Sequence, residues 1–331
     1  MPAEGAPLKL FDLLEGFHLA HLVRCLHDEG LLEQLTQWRS VEELVDSSDL
    51  DRETLRLLLW YAAQRSDLIQ ENNNRYRLAE PYQDLQTTGF LIDQYLGAYA
   101  PNALNLSQVI RNPATGGDWV DRAKHSMAFN RLERPGFRVL PDVIKQLSIS
   151  SLLDLGCGAG TLLTALAKED NRIHAWGIEQ NEAMVAMAEE RIAYQKLERQ
   201  ITIIHGDCQN IEQYTTDTIR NQVQAICSAS LLNEFFLHGN EKLVDWLQRL
   251  RQLFPKRLLI VADYYGRLGH QCPEYSRHGL LHDFIQAISG QGVPPPDTGA
   301  WEQCYQQAGA RLIKSVDGEG GVPWFVHLVA L

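Results

Sequence analysis

The chain has 331 residues, of which 45% are hydrophobic, and a formal net charge of −12 at pH 7. This length predicts two domains, and this composition predicts buried cores rather than a disordered chain. The acidic excess argues against a nucleic-acid partner, because phosphate binding needs clustered cations. No cationic stretch precedes an apolar run near the first residue, and no uninterrupted apolar window of about 18 residues could span a bilayer.

The cysteines are scattered along the chain, and no two of them form a Cys-x-x-Cys pair. They are Cys25, Cys157, Cys208, Cys227, Cys272 and Cys304. This spacing argues against a disulfide framework or a Cys-rich zinc site and fits a reducing compartment. We therefore expect a soluble cytoplasmic protein without a membrane or nucleic-acid partner.

Residues 8 to about 120 are predicted to be mainly helical, with one short β element. Ser40 and Glu43 have the spacing of a capping box, and Asp51 is placed to cap the next helix. A strand at 68–71, an asparagine turn and a strand at 75–78 follow these two helices. Two helices followed by a hairpin indicate a winged helix.

A winged helix raises the question of DNA binding. Residues 41–85 carry ten acidic and five basic side chains, a net charge of −5. This segment would repel a phosphate backbone. A packing or dimerisation role therefore explains it better than duplex binding.

From about residue 150 onward strands alternate with helices, which predicts an α/β fold with a parallel sheet and helices on both faces. The candidate strands are 151–155, 174–178, 201–205, 223–227, 257–262, 310–314 and 323–329. Helices are predicted to start at Asn181 and after Gly239. Residues 265–300 break this rhythm and are rich in glycine, proline and aromatic residues, as is typical of a functional lid.

The most informative stretch is a predicted strand that runs into a glycine-rich turn and then a helix, LLDLGCGAGT at 152–161. Gly156 and Gly158 allow a ligand to approach the backbone closely at the carboxyl end of the strand. A dinucleotide fingerprint would continue with a glycine where Thr161 stands. Asp154 disfavours a pyrophosphate and suits a ligand with an ammonium and a sulfonium, which describes S-adenosylmethionine.

Carboxylates follow the next two predicted strands. Glu179 lies 23 positions after Gly156, where a carboxylate accepts both ribose hydroxyls. Asp207 ends the third strand, where it is placed to bond an adenine amino group. A chance glycine-rich turn in a nucleotide-free domain explains these three features less well than a cofactor site does.

This portion resembles the class I S-adenosylmethionine-dependent methyltransferases, and the winged front end is similar to that of small-molecule methyltransferases that dimerise through it. The resemblance implies a Rossmann-like, seven-stranded sheet whose last strand is antiparallel. It also implies a dimerisation domain at 1–120, connecting helices at 121–150, and a cofactor-binding domain at 151–331 with a lid at 265–300. The implied cofactor contacts are Asp154, Gly156, Gly158, Glu179, Gln180, Asp207, Cys208 and Ser228.

The segment 228–239 is the best indication of the acceptor. O-methyltransferases of this type often carry a catalytic His followed by Asp here, whereas this chain has His238 followed by Gly239. A histidine beside a methyl acceptor can act as general base, because its unperturbed pKa is close to neutral.

Where the chain departs from this O-methyltransferase pattern, it resembles another branch, the α-keto acid C-methyltransferases, which include the 2-ketoarginine and phenylpyruvate enzymes. The resemblance rests on His238 together with 263–266, 282–283 and 290–295. It implies that His238 and His282 hold a divalent or iron-type metal that chelates a 2-oxo acid. Such a metal would favour the enolate needed for methylation at C3, with Asp283 or Glu234 taking the proton.

Arginines before the catalytic domain, Arg131 and Arg134, are candidates to clamp a substrate carboxylate, and Tyr264 is a candidate substrate contact. Structural roles compete with each of these functional interpretations. His238 would then pack the following helix, His282 would be a lid-helix side chain, and Tyr264 would be a core aromatic. His327 is expected to be a satisfied strand histidine rather than a metal ligand.

Three functions remain open on the sequence. The first is metal-assisted C-methylation at C3 of a small 2-oxo acid. The second is metal-independent O-methylation with His238 as general base. The third is a winged-helix regulator whose methyltransferase domain only senses the cofactor, against which the charge of 41–85 argues.

Overall fold

The computed structural model describes residues 8–46, 48–131, 135–270, 276–318 and 322–331. The α-helices are α1 (Leu10–Asp28), α2 (Leu31–Gln34), α3 (Val41–Val45), α4 (Arg52–Arg65), α5 (Leu85–Leu91), α6 (Ala100–Leu104), α7 (Leu106–Arg111), α8 (Arg122–Arg131), α9 (Pro135–Gln146), α10 (Thr161–Glu169), α11 (Glu182–Gln195), α12 (Asp217–Gln222), α13 (Glu241–Leu253), α14 (Arg277–Ile288) and α15 (Thr298–Gln307). The strands are β1 (Arg39–Ser40), β2 (Ile69–Asn72), β3 (Arg75–Leu78), β4 (Ser151–Leu155), β5 (His174–Glu179), β6 (Ile201–His205), β7 (Ala225–Ala229), β8 (Leu258–Tyr264), β9 (Arg311–Gly318) and β10 (Trp324–Ala330).

These elements form two compact units. The first comprises the described residues of Met1–Leu104 and Val120–Leu132, and the second those of Asn105–Trp119 and Glu133–Leu331. The units therefore divide the chain differently from the predicted boundaries at 120 and 150. Helix α8 packs on α5 within the first unit. In the second unit, Gly116 lies so close to the backbone of Gly290 that a Cβ on Gly116 would be 2.6 Å from the Gly290 nitrogen.

The first unit contains the predicted helix–helix–hairpin pattern. Both predicted helix caps are confirmed, since Glu43 donates its backbone N–H to Ser40 Oγ over 3.3 Å and Thr54 donates its own to Asp51 Oδ1 over 2.8 Å. Strand β3 pairs antiparallel with β2, and β1, which was not predicted, pairs with the other edge of β3. These elements enclose a core of leucines that includes Leu32, Leu44 and Leu59.

Helix α1 leaves a row of large apolar side chains in contact with solvent. Their exposed fractions run from 50% to 73%, and they are Leu10, Phe11, Leu13, Leu14 and Phe17, here called the α1 apolar face. The helix is fixed to α4 by Glu15, whose carboxylate accepts hydrogen bonds from Arg65 and Tyr61. These bonds hold the pKa of Glu15 low, at about 2.

The second unit is built on a seven-stranded sheet in the order β6-β5-β4-β7-β8-β10-β9. Strands β4 to β8 run parallel, and β10 lies between β8 and β9 and runs antiparallel to both. The predicted seven-stranded sheet with an antiparallel last strand is therefore confirmed. Its central strands are buried on both faces, which fits their mainly apolar sequences.

The two faces of the sheet carry separate cores. Trp246, Trp301 and Phe325 are fully buried on one face, and Leu163 and Val326 are fully buried on the other. None of the helices in the part of the chain that the structure describes is long and apolar enough to cross a bilayer.

His327 on β10 is fully buried and has both ring nitrogens engaged. Tyr305 Oη lies 3.0 Å from Nδ1, and Tyr265 Oη lies 3.3 Å from Nε2. The expected satisfied strand histidine is confirmed. Burial lowers the pKa of His327 from 6.5 to about 4.

The depressed pKa of His327 predicts a loss of stability in mild acid. The unfolded chain takes up a proton near pH 6.5 and the folded chain only near pH 4, so the free energy of unfolding should fall by up to about 3 kcal/mol as pH drops across this window. Urea titrations of the wild type and His327→Gln at pH 7, 5.5 and 4.5 would measure it. His174→Gln changes an exposed histidine and should keep the wild-type fall in the free energy of unfolding with falling pH. If His174→Gln abolished this fall, the assignment to His327 would be contradicted.

Candidate functional site

The glycine-rich turn starts where β4 ends and delivers the chain into α10. Gly156 and Gly160 have φ of 69° and 68°, a region that favours glycine. The backbone N–H groups of Gly156 and Cys157 both donate to the carbonyl of Ile178, over 2.9 and 3.2 Å. These bonds hold the turn against the end of β5. The carboxyl ends of β4 and β5 therefore lie side by side at one edge of the sheet.

Asp154 is the most unusual residue of this edge. It is 3% exposed, and its Oδ1 has no hydrogen-bond partner among the described residues. Burial, and then the negative charge of Glu179, raise the pKa of Asp154 to about 8. A buried carboxylate is stable when a cation pairs with it, so the ammonium or sulfonium of S-adenosylmethionine fits this position.

Glu179 stands at the end of β5, as expected for a ribose contact. Its Oε2 accepts the N–H of Gly158 over 3.0 Å, and its Oε1 accepts the N–H of Asn181 over 2.8 Å. Two carboxylate oxygens offer about four acceptor positions, so both oxygens can accept further hydrogen bonds from hydroxyls. The two bonds to the backbone fix the side chain against the glycine-rich turn.

The other predicted cofactor residues occupy varied environments. Asp207 accepts hydrogen bonds from Gln209 N–H and from Asn210 Nδ2, each over 2.8 Å, and Gln180 is exposed. Cys208 is buried in the apolar core, and this burial raises the pKa of its thiol. At this edge Cys208 therefore contributes an apolar wall, whereas Asp207 contributes a carboxylate held by its own turn.

The turn after β7 covers the glycine-rich turn. Ser228 is fully buried, and its Oγ has no partner among the residues described. Ser230 has a positive φ of 52° and donates its N–H to Ala262 on β8 over 2.8 Å. Leu231 then lies against Gly156, where a Cβ would be 3.4 Å from Leu231 Cδ1. The end of β7 and the end of β4 thus border the same space.

Beyond this turn lies a cluster of buried and partly buried polar side chains, here called the polar cluster, in which Asn233 and Gln286 were not singled out from the sequence. Its members are Asn233, Glu234, Asp263, Gln286 and Gln291. Asn233 donates its backbone N–H to Asp263 Oδ2 over 3.1 Å. Its Nδ2 group donates to Gln286 Oε1 over 3.1 Å and to Gln291 Oε1 over 3.2 Å. Gln291 Nε2 donates in turn to Glu234 Oε1 over 3.2 Å.

The predicted lid segment is fixed to the polar cluster through its backbone. Phe236 donates its N–H to the carbonyl of Gln291 over 3.0 Å and pairs with Gly292 as an isolated parallel bridge. Gly292 has a φ of 84°, and a Cβ there would lie 2.2 Å from the Phe236 carbonyl carbon. Only glycine permits this close approach.

The two histidines predicted to hold a metal lie in different surroundings. His238 is exposed, whereas His282 on α14 is buried, with its ring edge-on to Tyr264 at 4.4 Å between centroids. Within the described ranges, no three or more His, Cys, Asp or Glu side chains are grouped to hold a metal ion. The described donor set therefore does not fit the predicted metal, and we derive no step through it.

The remaining candidates have structural partners. Asp283 is buried and accepts the backbone N–H groups of Arg267 and, over 2.8 Å, Leu268, so it anchors the start of the lid segment. Arg131, in the first unit, donates from Nε to the buried Asp93 over 2.7 Å. Their predicted roles as proton acceptor and substrate clamp compete with these contacts. Arg134 lies outside the described residues.

Comparison with known proteins supports the fold. Residues 148–294 match the family model of a methyltransferase domain. The solved mitomycin 7-O-methyltransferase MmcR is 15% identical, with a TM-score of 0.73 over 97% of this chain and 96% of that one. PigF with SAH is 16% identical, with a TM-score of 0.75 over 98% and 100%. An O-methyltransferase family protein from Burkholderia thailandensis is 15% identical, with a TM-score of 0.71 over 98% of each chain.

The chain therefore has the fold of the class I S-adenosylmethionine-dependent methyltransferases in its O-methyltransferase-like form. A different match covers little of either protein. The GDSL esterase/lipase At2g27360 of Arabidopsis thaliana is 40% identical over 63 residues, which are 19% of this chain and 16% of that protein. This chain thus spans about a sixth of the length of that curated relative.

The unpaired Asp154 carboxylate predicts opposite effects of one substitution on stability and binding. Asp154→Asn should weaken S-adenosylmethionine binding by about one to two orders of magnitude, because a charge-assisted bond is lost. It should also raise the free energy of unfolding of the cofactor-free protein at pH 7, because the folded wild type must keep this carboxyl protonated whereas the unfolded chain ionises it.

Calorimetry and urea unfolding would measure both effects. The stability gain of Asp154→Asn over the wild type should shrink as pH falls from 8 toward 4, because the unfolded wild-type chain then also takes up the proton. Unchanged affinity for the cofactor would contradict the assignment of Asp154.

Proposed function

We propose that this protein is an S-adenosylmethionine-dependent methyltransferase that acts on a small molecule. The observation that carries the proposal is the buried Asp154 carboxyl beside the glycine-rich turn, whose Oδ1 has no hydrogen-bond partner among the described residues. A dinucleotide would bring a negatively charged pyrophosphate toward this carboxylate, whereas S-adenosylmethionine brings positive charge. The match of 148–294 to a methyltransferase domain supports the same conclusion.

Each residue at the carboxyl ends of β4 and β5 would contact a different part of the cofactor. Asp154 would pair with a cationic group of the cofactor, Glu179 would accept the ribose hydroxyls, and Gly156 would let the ligand lie against the backbone. When bound, S-adenosylmethionine supplies an electrophilic methyl group on its sulfonium. Leu231 would exclude water beside this group, and alignment of the acceptor would provide most of the acceleration.

For the acceptor, the charges of the lid region favour a neutral hydroxyl compound and therefore O-methylation. Glu234, Asp263 and Asp283 bring three carboxyl groups to this region. The guanidinium of Arg267 donates to the backbone carbonyls of Pro296 and, over 3.3 Å, Gly266. A substrate carboxylate would meet net negative charge here. In this proposal His238, after the fourth strand of the domain, acts as general base.

A second candidate is C-methylation at C3 of a 2-oxo acid. It is favoured by His282, which lies one helical turn before Gln286 of the polar cluster and against Tyr264. The two candidates separate on metal dependence.

The deciding experiment incubates the protein with isotopically methyl-labelled S-adenosylmethionine and panels of hydroxylated aromatics and 2-oxo acids, with and without EDTA. We expect transfer to a hydroxyl, detected by mass spectrometry, that EDTA does not abolish. Transfer to carbon that EDTA abolishes and a divalent metal restores would establish the second candidate. Cofactor binding without transfer to either panel would contradict the proposed activity.

The proposed base gives a mutational prediction. His238→Ala should lower kcat by about 10²-fold or more, while leaving the affinity for S-adenosylhomocysteine unchanged. His174→Gln is the control, and an unchanged kcat in His238→Ala would remove this residue from the mechanism.

We also propose that the protein forms a homodimer through the first unit. The α1 apolar face supports this, because soluble chains seldom leave several adjacent large apolar side chains in water. The exposed Leu57 and Trp60 on α4 extend the apolar surface of the same unit. A second copy of the chain would cover both.

Charge placed on this face should separate the dimer. Phe11→Glu combined with Leu14→Glu is expected to give a monomer in size-exclusion chromatography with light scattering, because each glutamate would be buried unpaired. Ile110→Glu, at an exposed apolar position of the second unit, should leave the dimer intact. A wild-type monomer would overturn the proposal.

A further inference from the structure

The side chain of Asn233 is held in one orientation inside the polar cluster. It is 4% exposed and follows β7 by four residues, at the edge that carries the cofactor residues. Its Nδ2 group uses both hydrogens, one toward Gln286 Oε1 and one toward Gln291 Oε1. Its Oδ1 has no hydrogen-bond partner among the described residues. A buried amide with one engaged end and one unengaged end points to a ligand.

The orientation of this amide follows from a carboxylate. Ionised Glu234 can only accept hydrogen bonds, so the group of Gln291 that faces it must be the Nε2 donor. The Oε1 of Gln291 therefore faces Asn233 and accepts a hydrogen bond from the Asn233 Nδ2 group. This chain of donors and acceptors leaves the Asn233 carbonyl oxygen as the group not used by the protein. Glu234 thus fixes Asn233 as an acceptor without touching it.

The neighbouring contacts hold Asn233 in place from the backbone as well. Its own N–H donates to Asp263 Oδ2, and Asp263 Oδ1 accepts the N–H of Tyr264 over 3.0 Å. Gln291 is fixed through its carbonyl, which accepts from Phe236. Rotation of the Asn233 amide would break two hydrogen bonds at once, so the oxygen is presented by a rigid support.

We propose that Asn233 Oδ1 receives a hydrogen bond from a hydroxyl or N–H group of the methyl acceptor, and that Glu234 and Gln291 are positioning residues that fix this polarity. This inference rests on the proposed function, because it takes the molecule beside the cofactor to be the methyl acceptor. An amide oxygen does not take the acceptor's proton, so Asn233 selects and orients. The site then favours acceptors that carry a donor over matched compounds that carry a methyl ether at the same place.

The test uses the protein saturated with S-adenosylhomocysteine and a panel of hydroxylated aromatic fragments, each paired with its methyl ether. Ligand-observed NMR titration gives the dissociation constants for wild type, Asn233→Leu, Glu234→Gln and Glu241→Gln. In the wild type, we expect the hydroxylated member of the best-binding pair to bind about tenfold more tightly. This preference should fall to about one in Asn233→Leu.

Glu234→Gln keeps the shape of the side chain but can also donate, so Gln291 and Asn233 are free to reverse. The preference for the hydroxylated member over its methyl ether should then fall at least threefold. Because Glu234 is only partly buried, this variant provides the test if Asn233→Leu does not fold. Glu241→Gln makes the same change of charge at an exposed position and should keep the preference.

Two results would overturn the inference. One is a wild-type protein that binds S-adenosylhomocysteine but shows no donor preference, including the case in which no fragment binds. The other is a preference that persists in both Asn233→Leu and Glu234→Gln. Failure of the wild type to bind S-adenosylhomocysteine in calorimetry would instead remove the proposed function, and with it the premise of this inference.

Discussion

The proposed site of the second unit is organised around a buried carboxyl group, Asp154, whose Oδ1 has no hydrogen-bond partner among the described residues. Asp154 lies between Gly177 and Cys227 in the middle of the sheet, where water cannot stabilise its charge. The flanking residues do not relieve it, because Glu179 adds a second negative charge and Cys227 is a buried thiol with a raised pKa. In the proposed function, a cationic ligand at this edge would offset the cost of burying the ionised group.

The same edge extends from the cofactor residues to the polar cluster without a change of scaffold. Strand β7 carries Ser228 and leads into Asn233, while β8 ends at Asp263 and Tyr264. The lid segment adds Gln286 and Gln291 and is fixed by the bridge between Phe236 and Gly292. In the proposed site, rigid strands would therefore position both halves, and the segment that carries Gln286 and Gln291 would supply the amides that complete it.

The fold was largely predictable, because the strands of the second unit are short, mainly apolar runs bounded by turn residues. The two-residue β1 was not, since only its pairing with β3 makes it a strand. In the site, Asp154 and Glu179 were identifiable from their places at strand ends. The polar cluster was not, because Asn233 meets Gln286 and Gln291 across more than fifty residues, and no local spacing records such a contact. Burial also distinguishes His238 from His282, which sequence alone cannot do.

The position of β10 determines the order in which the sheet can be completed. Strand β10 follows β9 in sequence but lies between β8 and β9, and it is the only described strand that pairs with β9. During synthesis on a ribosome, the free edge of β8 would remain unpaired until β10 emerges. Until then, β9 would also have no strand with which to form backbone hydrogen bonds. Open edges of this kind recruit other chains. The nascent protein would therefore be most prone to aggregation just before its last strand is inserted.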